Sequence, residues 1–141
     1  MATFNKFQSF VEHLAEKVHN LGADTLKVML TDTAPVATNT VKADLTEITA
    51  GNGYTAGGAT LTVTSSAQAS GVYKLVANDV VITASGGSIG PFRYAVIYND
   101  TPTSPADPLI GWWDRGSSAT LLEGESVTID LDQTTGVLTV T

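Results

Sequence analysis

The chain has 141 residues and a mass of 14.7 kDa, enough for one domain, which at this size buries roughly 68–70% of its unfolded surface. Charged residues are 15% of it, against about 25% in an average domain, and fourteen Asp and Glu outnumber seven Lys and Arg, for a net charge of −7. No basic run is present to neutralise successive phosphates, so nucleic acid is not an expected partner; with no Cys, neither disulfides nor thiolate metal sites can form.

The opening "MATFNKFQSF" lacks a cationic segment followed by an apolar core, and no run of about 18 apolar residues occurs. The reading is of synthesis and folding in a cytoplasm, with no membrane partner. From Phe4 to Leu21 the apolar residues Phe4, Phe7, Val11, Leu14, Val18 and Leu21 recur every three or four positions, which predicts an amphipathic helix of about four turns. Phe10 widens its stripe, Thr3 is placed to cap its start, and Gly22 to end it. This gives two parts, a helical segment 1–22 and a β domain 23–141.

From Thr25 onward the period is two. "TLKVMLT" reads as a half-buried strand; a turn-rich segment follows, with a short helix predicted in "NTVKADLTEI". Next come the strands "ATLTVTSS", "GVYKLVA", "DVVITAS" and "FRYAVIYND", with a tight Asn78–Asp79 turn between the second and third. "TPTSPADP" must be a surface loop, because its prolines cannot lie in a central strand. "LIGWWD" resumes the sheet, and "SVTIDLD" and "GVLTVT" flank "QTTG" as a predicted closing hairpin. About eight short strands with no strand–helix alternation predict a mainly β fold: an antiparallel, jelly-roll-like β-sandwich preceded by one amphipathic α-helix.

"GNGYTAGG", residues 51–58, invites a phosphate-loop reading. Gly51 to Ala56 fits G-x-G-x-x-A, but a strand follows where the fingerprint needs a helix N-terminus, and the Walker pattern meets Ala59 and Thr60 where it needs Lys. The glycines are therefore read as conformational, and no cofactor is expected. His13 and His19, six apart on the predicted helix, point about 120° apart and cannot share a metal. "DLDQTTG" lacks the Gly and the final acid of a calcium loop, so no metal ligands are assigned. Asp114, Glu123 and Glu125 are the carboxylates available for acid–base work, and "GSSATL" has no His partner outside the first helix; no catalytic residues are assigned.

Trp112 and Trp113 are adjacent strand residues and face opposite sides of a sheet. One enters the core; the other is shielded by the proline loop or left, with Tyr94 and Tyr98, to stack on a sugar ring or anchor an interface. The stripe of Phe4, Phe7, Phe10, Val11 and Leu14 is broader than one helix on one sheet edge requires, so those residues, with Trp112 and Trp113, are the candidate interface.

The phrases "FNKFQSFVEHLAEKVHNLGADTLKVMLT", "LTEITAGNGYTAGG", "FRYAVIYNDTP" and "DPLIGWWDRG", spanning Phe4 to about Gly116, resemble small virion structural proteins of tailed bacteriophages, notably head decoration (cement) proteins. The resemblance implies a protein without enzymatic activity, made in the host cytoplasm and located on the capsid exterior. Its partners would be the major capsid protein lattice and further copies of itself, as a dimer or trimer near a local symmetry axis, and its role would be to stabilise the shell against internal DNA pressure. A tail or receptor-binding virion component with a carbohydrate-binding β-sandwich is the alternative.

Overall fold

A computed structural model describes residues 2–141. The protein is mainly β and antiparallel, with ten strands and one α-helix among the described residues. In chain order these are β1 (Phe4–Lys6), α1 (Ser9–Ala15), β2 (Leu26–Thr31), β3 (Ala59–Thr60), β4 (Val63–Ala69), β5 (Val72–Ala77), β6 (Val80–Thr83), β7 (Ile89–Asn99), β8 (Leu109–Leu121), β9 (Ser126–Ile129) and β10 (Leu138–Val140). They form a five-stranded sheet in the order β1-β8-β7-β2-β3, a three-stranded sheet β10-β5-β4 and a two-stranded ribbon β6-β9.

The large sheet carries apolar side chains on both faces. Leu26, Val28, Leu30, Ile97 and Ile110 join the main core, to which the smaller sheet adds Leu75 and Leu138 and the ribbon adds Ile82 and Ile129. Met29, Val96, Tyr98 and Leu109 point the other way and form a second, smaller cluster with Leu45 of the long 32–58 segment. The alternation seen in "TLKVMLT" therefore separates two cores rather than core from solvent, because that segment folds back over the second face.

The four-turn helix expected over Phe4–Leu21 is corrected: residues 4–6 are a strand paired with β8, and α1 is seven residues long. Its end is a Schellman turn, in which Val18 N–H donates to His13 C=O (2.8 Å) and Lys17 N–H to Leu14 C=O (3.4 Å). Lys17, at φ 67°, takes the left-handed position expected of Gly22. The period of three to four had a different origin. Phe4 and Phe10 pack in or against the main core while Phe7 packs in the second, so the segment straddles the sheet edge with phenylalanines on both sides.

The helix predicted in "NTVKADLTEI" is a single 3₁₀ turn, Lys42–Asp44, held by Thr40 and Val41 N–H donating to the Asp44 carboxylate. Two expected turns are also corrected. β5 does not pair with β6, nor β9 with β10; instead β10 pairs with β5 and β6 with β9, as one long ladder interrupted midway. Between the pairs Leu75↔Leu138 and Val80↔Ile129 the second strand carries the longer insertion. Asp79 clamps it by accepting Leu131 N–H (2.8 Å) and Gln133 Nε2–H (3.1 Å). The Asp132 carboxylate accepts the N–H groups of Thr134 and Thr135, which accounts for the spacing of "DLDQTTG" as an Asx turn.

Candidate functional site

The glycine loop is a packing device. Tyr54 is buried, and its hydroxyl accepts Leu30 N–H (3.0 Å) and donates to the Glu47 carboxylate (2.7 Å), which also accepts Gly57 N–H (2.7 Å). β3 covers β2 only at Lys27 and Val28, so the tyrosine hydroxyl takes over at Leu30 where the ladder stops. Burial raises the Tyr54 pKa above its ordinary value, which keeps the hydroxyl a donor to Glu47. A side chain at Gly58 would meet the Val28 carbonyl oxygen at 1.9 Å, and one at Gly53 the Thr83 carbonyl oxygen at 2.3 Å; backbone contact on this scale is what the glycines permit.

The tryptophans do face opposite ways. Trp112 lies against Phe7, with ring centroids 4.6 Å apart, and Trp113 meets Phe4 edge-on at 5.3 Å. Each is half-buried, and the aromatic ring packed against each comes from the N-terminal segment. Gly111 makes this possible: a Cβ there would lie 2.3 Å from the Phe4 ring, so the bare backbone is where the ring rests.

The structure divides the candidate interface. Phe7 is 0% and Phe10 3% exposed; both belong to their own subunit's cores and cannot contact another chain in this fold. Val11 is 50% exposed, Leu14 is half-buried, and Phe4 is half-buried beneath Trp113. Tyr98 is also withdrawn, since it is buried in the second cluster with its hydroxyl donating to Gly57 C=O.

What remains open around Trp113 is a crevice of about 310 Å³ between β7–β8 and β9. Its apolar walls include Leu30, Phe92, Trp113 and Val127, and Arg93 and Arg115 stand among its lining residues. These are the only arginines in the chain, a feature the sequence displays but gives no reason to join. A register shift joins them: between the pairs Phe92↔Ala119 and Tyr94↔Asp114, Arg93 alone opposes the four residues 115–118. The bulge turns at Gly116, φ 97°, whose N–H donates to Asp114.

Arg93 grips Asp114 through Nε (2.8 Å) and Nη2 (3.0 Å), a bidentate pair that holds the Asp114 carboxyl below the usual range. Its guanidinium carbon also lies 5.4 Å from the centre of the Tyr94 ring. Arg115 Nη1 donates to Ser117, and its other nitrogens have no protein partner among the described residues. The arrangement offers an apolar slot, an aromatic edge and guanidinium donors, which suits binding. The carboxylates considered for acid–base work are engaged separately: Asp114 by Arg93, Glu125 by Leu122 N–H and Glu123 by Gly86 N–H. No family model, curated protein or solved structure matches this chain.

Proposed function

We propose that this protein is a non-enzymatic structural component of a tailed-phage virion, a head decoration protein that binds the outside of the assembled capsid and stabilises it. In this reading the three antiparallel sheets around one main core form a jelly-roll-like sandwich, and the Trp113 crevice faces the coat lattice. The observation that carries the proposal is that crevice: a preformed apolar slot under a half-buried tryptophan, flanked by the chain's only two arginines. Aromatic and arginine side chains around an apolar slot are the residue types that anchor protein interfaces. The sequence phrases from Phe4 to Gly116 supply the phage context.

Electron microscopy of particles saturated with the protein tests it. Many copies in register with the coat lattice, lost with Trp113→Ala and reduced with Arg115→Ala, are the expected result; no occupancy on the shell overturns the proposal. A second reading is favoured by the same polar groups beside an aromatic ring, which also suit a sugar. A glycan array with the isolated protein distinguishes it: Trp113-dependent glycan capture without capsid binding would assign a receptor-binding role.

A further inference from the structure

β4 is the outer strand of its sheet, paired with β5 on one side and with no backbone partner on the other among the described residues. Thr64 to Ala69 are exposed on both faces, so the strand is held by the hairpin ladder with little burial in its own subunit. β10 supports β5 at Tyr73, Lys74 and Leu75, so only the pair Ala69↔Val72 lies between the three-stranded part and the hairpin turn. That turn is tight, with Ser70 and Gly71 both at positive φ.

Open edges in soluble proteins are ordinarily blocked by Lys, Pro, inward charges or bulges. β4 has one irregularity, at its start between Val63 and Ser65, and no Pro. It also lies inside an uncharged stretch running from Ile48 to Tyr73, in a chain of net charge −7. Two copies repel over most of their surface, and least where this edge meets its own counterpart.

We propose that the free edge of β4 pairs antiparallel with β4 of a second copy, making a two-fold dimer. The dyad falls at or beside Ser66, and the two three-stranded sheets join into one of six strands. An antiparallel pairing satisfies the outward N–H and C=O groups of both strands at once and sets only Ser, Thr, Ala, Gln and Val side chains opposite one another. A seven-residue edge is about 24 Å long, so the contact is at the small end of specific interfaces and forms a reversible dimer. This inference concerns self-association and stands independently of the capsid assignment.

Sedimentation equilibrium with single-cysteine cross-linking tests it, because the chain has no cysteine of its own. The expected results are a dimer at about 100 µM, weakened about tenfold or more in Ser65→Lys/Ala67→Lys, where like charges face each other across the dyad. Among Cys variants at Ser65, Ser66, Ala67 and Gln68, oxidation should cross-link those at the dyad and spare the rest. Both lysine positions are exposed, so the thermal melt of that variant reports folding separately. A monomer at that concentration with no position-dependent cross-link, or a dimer indifferent to the two lysines, overturns the proposal.

Discussion

The imidazole rings of His13 and His19 stand 5.9 Å apart, edge to face, although six residues of continuous helix would have set them on different sides. The Schellman turn at Lys17 folds the chain back and buries His19 against Phe10. The Asn99 amide orients the ring: its Nδ2 donates to Asp24 Oδ2 (2.7 Å) and to His19 Nδ1 (3.1 Å), while its Oδ1 accepts Thr101 N–H. An Nδ1 that accepts a hydrogen bond fixes neutral His19 with its proton on Nε2. Desolvation first, and then the neighbouring His13, push the His19 pKa down to about 4, with Asp24 opposing.

The unfolded chain takes up the proton near pH 6.5 and the folded chain only near pH 4, so the unfolded state binds more protons between those values. Stability from this residue is complete above pH 6.5 and falls by about 3 kcal/mol as pH drops towards 4. Urea midpoints at pH 7, 5.5 and 4.5 measure it, and His19→Gln should flatten the profile. Equal stability of the native protein at pH 7 and 4.5 would contradict the assignment.

Phe7→Ala should destabilise the fold by about 3–5 kcal/mol, the usual cost of emptying a fully buried aromatic site. Val11→Ala, half-exposed on the same segment, should stay within about 0.5 kcal/mol of wild type. Denaturant titration of both variants decides whether residues 1–22 complete the domain or merely decorate it; equal, small effects would mean the latter.

Lys17→Gly should stabilise the protein, since a Lys at φ 67° carries a left-handed strain of about 1–2 kcal/mol that glycine lacks, less part of glycine's greater freedom in the unfolded chain. The net expectation is a gain of about 0.5–1 kcal/mol, read as a rise in Tm. A lower Tm would mean that the Lys17 side chain contributes more than its backbone costs.

Gly58→Ala and Gly51→Ala separate crowding from conformation. Both residues have positive φ, but a Cβ at Gly51 meets nothing within 4 Å, whereas at Gly58 it collides with Val28. Gly58→Ala should cost on the order of 3 kcal/mol or more and Gly51→Ala about 1 kcal/mol. Millimolar ATP or NAD should leave the melting temperature of the native protein unchanged; a clear rise would restore the phosphate-loop reading.

Tyr54→Phe leaves Leu30 N–H buried without its acceptor and removes one of the donors to Glu47, which keeps Gly57 N–H, and should cost about 1–3 kcal/mol. Amide exchange at Leu30 reads the lost bond directly, and unchanged protection there would show that another group replaces the hydroxyl.

The sequence by itself determined the β class, the position of nearly every strand from Leu26 onward, the opposed faces of Trp112 and Trp113 and the strand, not a helix, that follows the glycine loop. These follow from local rules: a period of two, turn residues between strands, and the type of element after each glycine. Tertiary structure alone decided the rest. Phe4, Phe7 and Phe10 have helical spacing, but pairing with β8 turned their start into a strand and divided them between two cores. Ladder partners were likewise undetermined locally, because β5 and β6 are neighbours in sequence yet meet β10 and β9, and the Asp79 clamp that permits this lies across the interruption. The convergence of Arg93 and Arg115 on Trp113, and of His19 on His13, arises from a bulge and a left-handed lysine. Neither leaves a periodic mark, since each depends on which strand or turn the chain meets after it has folded.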